Sequence, residues 1–200
     1  MIQIIFVLIY NLLVRMYAFS NDWFTTSELK RSLDKHLRKD IKLDLLEIGV
    51  YEGACSCFLS DYYLDHDFST LICVDPFDTT DTTAPVYTDT KARFIDNIIL
   101  SKNCNKVKLV QEYSDIFFEN NTKVYDFIYI DGSHLEEDLE LDLINALKFC
   151  KTDGIIWVDD YLWTNADNVL KTVIDKFHDI NKDRLETIHS GYQIAFRKLY

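Results

Sequence analysis

The chain has 200 residues, which is enough for one ordinary α/β domain and too few for two large ones. Hydrophobic residues make up 48% and charged residues 27%, which is typical of a soluble protein with a packed core and excludes general disorder. With 21 basic and 33 acidic residues the net charge is −12, so the surface repels phosphate backbones and a nucleic-acid partner is not expected.

Residues 1–20 form an apolar N-terminal segment. The run Ile2–Val14 is interrupted only by Gln3 and Asn11, and it is shorter than the roughly 20 residues that a helix needs to cross a bilayer. Three interpretations stay open: a signal or membrane anchor, an apolar helix docked on the domain, and an element that pairs with another chain in a homo-oligomer. Membrane contact would involve residues 1–19, and residues 21–200 are expected to form a single domain.

The next elements alternate between helical and strand-like patterns. Thr25 and Glu28 have the spacing of a capping box before leucines at helical intervals. After them we predict, in order, a strand, a helix, a strand, a polar loop and a helix: Leu43–Ile48, the segment around Phe58–Tyr62, Leu71–Val74, Asp75–Thr90 and Lys91–Leu100.

The second half continues the alternation and ends in a hairpin. Strands are predicted at Val107–Val110, Phe127–Ile130 and Ile155–Val158. Helices are predicted from a Ser133/Glu136 capping box to about Cys150, and at Ala166–Phe177. Leu185–Ile188 and Tyr192–Phe196 flank a Ser190-Gly191 turn. The fold class is therefore α/β, with a seven-stranded, mostly parallel sheet, helices on both faces and an antiparallel closing hairpin.

Ligands of such sheets bind beyond the carboxyl ends of the strands. The first predicted strand runs into the turn Glu47-x-Gly49-x-x-x-Gly53, where Gly49 allows a tight turn and Gly53 allows close packing of the next helix. The turn lacks the middle glycine of the dinucleotide fingerprint. Asp75 ends the second strand, where a carboxylate can accept both hydroxyls of a ribose; it could equally be an ordinary loop or helix-capping aspartate.

The turn and Val74-Asp75 together resemble the cofactor site of class I S-adenosylmethionine-dependent methyltransferases, over about residues 40–198. The segments 125–134 and 153–161 are similar to those of the metal-dependent small-molecule O-methyltransferases of the catechol and macrocin types. The resemblance implies a Rossmann-like methyltransferase fold and a small hydroxylated acceptor. It also implies that S-adenosylmethionine is bound by Glu47, Gly49, Tyr51, Gly53, Asp75, Ser114 and Asp131.

The same resemblance implies a Mg²⁺ site formed by Asp131, Asp159 and Asp160, with His134 as the general base. Three carboxylates from neighbouring strand ends repel one another unless a cation neutralises them, and Mg²⁺ prefers oxygen ligands. His134 is expected in the first turn of its helix, where the dipole disfavours the protonated form. The alternatives are capping and loop roles for the aspartates and an exposed helix-start position for His134.

The expected reaction is an in-line methyl transfer to an acceptor hydroxyl, with acceptor walls from residues 76–91, residues 161–163 and the N-terminal segment. Two other functions stay open: a NAD- or nucleotide-sugar-dependent enzyme on a similar sheet, and a non-catalytic scaffold with the same fold. The five cysteines are odd in number and have no zinc spacing, which favours free thiols and a cytoplasmic location.

Overall fold

The computed structural model describes residues 16–21, 23–78, 89–164 and 169–200. The apolar run Ile2–Val14 and much of the polar stretch after Asp75 lie outside the described residues. Within the described ranges, every helix is too short or too polar to span a bilayer. All five cysteines are free thiols, as the sequence predicts.

Seven strands form one mixed sheet in the order β3-β2-β1-β4-β5-β7-β6. The first five pair in parallel, and β7 lies antiparallel between β5 and β6. This arrangement confirms the predicted fold class. The strands are β1 Asp44–Ile48, β2 Thr70–Val74, β3 Val107–Val110, β4 Tyr125–Ile130, β5 Cys150–Val158, β6 Leu185–Ser190 and β7 Ile194–Lys198.

Helices cover both faces of the sheet because successive strand residues point to opposite sides. Leu45 joins one apolar core and Leu46 joins the other. The first core packs against α1 Glu28–Ser32, α2 Ala54–Tyr63 and α3 Thr90–Leu100, and the second against α4 Ser114–Asn120, α5 Glu136–Phe149 and α6 Val169–Asn181. Short 3₁₀ turns occupy Leu33–Lys35 and Cys104–Lys106.

The predicted capping box at Thr25 and Glu28 is wrong. Helix α1 begins at Glu28 itself, and its N-cap residue Ser27 makes no side-chain cap hydrogen bond. The Glu28 carboxylate instead accepts a hydrogen bond from the Gln193 backbone N–H at 2.9 Å and pairs with His189 at 2.9 Å. Partners from the closing hairpin therefore outcompete the local cap.

The second predicted capping box, at Ser133 and Glu136, is also wrong. Helix α5 begins at Glu136, two residues after His134, so the loop between β4 and α5 is longer than expected. The Ser133 hydroxyl accepts a hydrogen bond from the Leu135 N–H at 3.2 Å within this loop. His134 consequently lies outside the helix, and the dipole argument for its neutrality does not apply.

Backbone hydrogen bonds align the carboxyl ends of strands β1–β5. In each of four pairs the first residue after one strand donates its N–H to the last carbonyl of the neighbouring strand. These bonds are Asp159 to Ile130 at 2.9 Å, Asp131 to Ile48 at 2.8 Å, Gly49 to Val74 at 2.9 Å and Asp75 to Val110 at 3.2 Å. Four predicted site residues thus stand in one row along the edge where ligands of such sheets bind.

Candidate active site

The glycine turn after β1 depends on the absence of side chains. Gly49 has a φ of +77°, and a Cβ there would lie 1.9 Å from the carbonyl oxygen of Asp131. Gly53 has a φ of +85°, and a Cβ there would approach the Phe94 ring to 2.9 Å. Gly49 therefore lets the turn lie against the end of β4, and Gly53 lets α2 start against α3 rather than against a strand.

Asp75 fastens this turn to the end of β2. One carboxylate oxygen accepts the N–H groups of Val50 at 2.9 Å and Tyr51 at 3.2 Å, and the other accepts that of Phe77 at 2.7 Å. Burial raises the pKa of Asp75, although the three N–H donors oppose the shift. A carboxylate has about four acceptor positions, so three of them are used and room for a ribose hydroxyl is smaller than the sequence suggested.

Glu47 lies beneath the turn and is almost fully buried. Its carboxylate accepts a hydrogen bond from the Ser56 hydroxyl at 2.6 Å and contacts the Cys73 thiol at 3.7 Å. Burial raises the pKa of Glu47 to about 8. These partners belong to α2 and β2, so Glu47 ties together the elements on either side of the turn.

Residues 17–21 pack over the outer side of the glycine turn. Ser20 donates its N–H and its hydroxyl to the buried Glu52 carboxylate, at 2.5 and 2.7 Å. The Tyr51 hydroxyl lies 2.8 Å from the Ser20 hydroxyl, and its ring contacts Trp23 with centroids 5.1 Å apart. These contacts hold the described part of the N-terminal segment beside the predicted cofactor site.

Ser114 is the first residue of α4 and is half-buried. Its hydroxyl faces the Asp142 carboxylate, which is almost fully buried in α5. Burial raises the pKa of Asp142 to about 7, and Ser114 opposes this shift. One oxygen of Asp142 has no hydrogen-bond partner among the described residues. Neither the helix α4 nor this buried acid was predicted from the sequence.

The three predicted metal ligands lie together at the ends of β4 and β5, and they line one small cavity with His134. Asp131 keeps exposed surface, although the surrounding protein desolvates its carboxyl group. This desolvation and the charges of Asp159 and Asp160 raise the pKa of Asp131 well above its usual range. Desolvation and the charge of Asp160 also raise the pKa of Asp159. The carboxyl groups are therefore close enough for the charge of one to disfavour ionisation of another.

The oxygen donors and their excess negative charge fit a hard divalent cation such as Mg²⁺ in chemical kind. Among the described residues, however, no three Asp, Glu, His or Cys side chains are grouped closely enough to hold a metal ion as they stand. The carboxylates are directed to protein donors instead: Asp159 to the Tyr129 hydroxyl and Asp160 to His134 and Tyr192.

His134 pairs with Asp160 at the mouth of this cavity. Its Nε2 lies 2.8 Å from one Asp160 oxygen, and the Tyr192 hydroxyl donates to the other at 2.7 Å. The His134 ring also contacts Trp163, with centroids 4.8 Å apart. An imidazole held by a carboxylate in this way can accept a proton from a bound hydroxyl.

Sequence reasoning missed several residues that the fold brings to this site. Tyr192 and Gln193 belong to the β6–β7 turn, and nothing in their spacing indicates that they reach the end of β5. Tyr129 reads as an ordinary buried strand residue, and Asp142 as one of many acids in a polar helix. Only the pairing of distant strands places these side chains beside the predicted site.

A family model described as a methyltransferase domain matches residues 46–161. No curated protein sequence is significantly similar to the chain.

Solved structures share this fold over nearly the whole chain. An O-methyltransferase from Bacillus cereus in complex with SAH has 15% identity and a TM-score of 0.63, with 96% of this chain and 89% of that chain covered. The O-methyltransferase TomG from Streptomyces achromogenes, in complex with SAM, has 16% identity and a TM-score of 0.61, with coverage of 95% and 85%. An rRNA methylase from Streptococcus thermophilus has 9% identity and a TM-score of 0.62, with coverage of 92% and 100%.

Proposed function

The chain belongs to the class I S-adenosylmethionine-dependent methyltransferases, and we propose that it methylates a hydroxyl oxygen of a small acceptor with the assistance of Mg²⁺. The observation that carries this proposal is the cavity at the ends of β4 and β5, where Asp131, Asp159 and Asp160 lie beside His134. Family membership favours this reading over the NAD- or nucleotide-sugar-dependent alternative.

The glycine turn and the end of β2 would hold the cofactor. Gly49 and Gly53 keep side chains away from the turn, and Asp75 fixes the turn through two backbone N–H groups. The remaining acceptor position of Asp75 suits one ribose hydroxyl. Tyr51 follows β1 and Ser114 follows β3, the two strands that flank β2 in the sheet. Asp131, at the end of β4, would complete this set beside the proposed metal ligands.

Asp131, Asp159 and Asp160 are the residues that would hold Mg²⁺. When bound, Mg²⁺ lowers the pKa of a coordinated hydroxyl, and S-adenosylmethionine supplies an electrophilic methyl group. In the tautomer whose Nε2–H donates to Asp160, His134 carries its lone pair on Nδ1, which would take the hydroxyl proton. The acceptor oxygen then gains the methyl group, and the sulfur keeps the electron pair of the broken bond.

The charge and the aromatic residues of the cavity restrict the acceptor. Three carboxylates outweigh the double positive charge of one Mg²⁺ ion, so the proposed metal site would keep a net negative charge that disfavours a phosphate or carboxylate on the acceptor. Trp163 and Tyr192 remain 38% and 44% exposed beside His134 and Asp160, and they offer flat apolar surfaces. We propose an uncharged hydroxylated acceptor rather than RNA.

A methyl-transfer assay with labelled S-adenosylmethionine and a panel of hydroxylated acceptors tests the proposal. Transfer to oxygen is expected, with loss in EDTA and recovery on addition of Mg²⁺. Full activity in EDTA, with no metal found by elemental analysis, would contradict the proposed role of Mg²⁺. The three aspartates would then have loop roles only. Binding of S-adenosylhomocysteine without transfer to any acceptor of the panel would favour the scaffold alternative.

A further inference from the structure

A chain of buried polar side chains connects helix α1 to the proposed metal site. It runs from Gln193, in the β6–β7 turn, through Tyr129 of β4 to Asp159 at the end of β5. We propose that Tyr129 is a positioning residue that fixes Asp159 for binding of Mg²⁺, and that Gln193 fixes Tyr129. This inference rests on the proposed function.

The orientation of the Gln193 amide follows from its partners. Its Oε1 lies within hydrogen-bond distance of the Leu29 N–H at 2.7 Å, the Trp157 Nε1–H at 3.0 Å and the Ser27 hydroxyl at 3.2 Å. The first two groups can only donate, so the atom that they surround must be the acceptor oxygen. The Nε2 group therefore points to the Tyr129 hydroxyl, 3.4 Å away.

The direction of the next bond is fixed as well. Because Gln193 Nε2 donates to the Tyr129 oxygen, Tyr129 is left to give its single proton to Asp159. Tyr129 is fully buried, and its ring packs in the apolar core between the sheet and helices α1 to α3. The core thus fixes the position of the Tyr129 hydroxyl, and its proton is donated to Asp159.

Asp159 is consequently held at both oxygens. Tyr129 donates to Oδ2, and the backbone N–H of Asp160 donates to Oδ1 at 2.7 Å. Asp160 itself has a φ of +55°, which is uncommon for a residue with a side chain. Such outer partners orient a metal-binding carboxylate, and their loss typically weakens metal binding by about 10- to 100-fold.

The strand itself supplies a matched control. Tyr125 lies four residues earlier on β4, is also fully buried, and donates its hydroxyl to Asn121 at 2.9 Å. Its hydroxyl lies at the opposite end of the strand from Asp159. Tyr125→Phe and Tyr129→Phe each delete one buried hydroxyl from the same strand, but only the second removes a partner of the proposed metal site.

The experiment titrates Mg²⁺ into wild type and both variants by calorimetry. Each protein is saturated with S-adenosylhomocysteine, which stabilises the folded state of a weakened variant. We expect Tyr129→Phe to weaken Mg²⁺ binding by about 10- to 100-fold, with Tyr125→Phe close to wild type. Affinity for S-adenosylhomocysteine, measured first, should be unchanged in both, because its proposed site lies at the ends of β1 and β2.

Each result separates the two ideas. Equal Mg²⁺ affinity in wild type and Tyr129→Phe would overturn the positioning role while leaving the metal site in place. Equal weakening by both tyrosine variants would assign the effect to general stability and overturn the role too. Failure of the wild type itself to bind Mg²⁺ would overturn the metal half of the proposed function and this inference with it.

Discussion

Asp142 should contribute to a fall in the stability of this protein as the pH rises, and Asp142→Asn should remove that contribution. The carboxyl is 2% exposed, and burial raises its pKa to about 7 from 3.8. Because the folded pKa is the higher one, the unfolded chain loses its proton first, and the folded state is disfavoured increasingly between about pH 4 and pH 7. At 1.36 kcal/mol per pKa unit the full effect is about 4 kcal/mol.

Urea unfolding of wild type and Asp142→Asn at several pH values measures this effect. The free energy of unfolding of Asp142→Asn should rise relative to that of wild type by roughly 2 to 3 kcal/mol between pH 5 and pH 8.5. Asp179→Asn, at an exposed position on α6, is the control and should show no such gain. A difference between wild type and Asp142→Asn that stays constant from pH 5 to pH 8.5 would refute the reasoning.

Three further variants test the site. Asp75→Ala should weaken S-adenosylmethionine binding by about 2 kcal/mol, since it removes charge-assisted hydrogen bonds; unchanged affinity by calorimetry would exclude Asp75. Gly49→Ala should destabilise the fold by more than about 3 kcal/mol, because a Cβ would meet the Asp131 carbonyl at 1.9 Å; a wild-type midpoint in thermal unfolding would contradict the close approach. His134→Ala should lower kcat by roughly 10²- to 10⁴-fold with cofactor affinity intact; a wild-type kcat would return His134 to an ordinary loop residue.

The sheet could be predicted because its central strands are short apolar runs that alternate with helical patterns. Helix α4 was missed because its three apolar residues, Ile116, Phe117 and Phe118, are consecutive and show no helical spacing; Phe117 and Phe118 are the buried ones. They are buried only through the second core, against elements far away in the chain. Local patterns therefore indicated the strands, while this helix depends on tertiary packing.

The candidate site, like the fold, could be predicted only in part. The residues that follow the strands, such as Asp75 and Asp159, could be predicted because parallel strands end at a common edge. Their partners could not. That Asp75 binds the glycine turn, and that Tyr129 binds Asp159, depends on side-chain directions set by the whole sheet. The capping boxes failed for a related reason, since Glu28 finds its partners more than 160 positions later in the chain.

The hydrogen bonds along the edge of the sheet are made by backbone groups, so the alignment of the strands does not depend on the functional side chains. Asp75, Asp131 and Asp159 are held in line by their N–H groups, and Gly49 by its own. Replacing the Asp131 carboxylate by an amide, a hydroxyl or a hydrophobic group would leave these backbone bonds in place, whereas the Asp75 carboxylate also holds the main chain of the glycine turn. On such a scaffold, single substitutions can change the acceptor specificity while the backbone of the sheet stays the same. A designer could likewise exchange the functional groups of this edge while the register of the five parallel strands stays as it is.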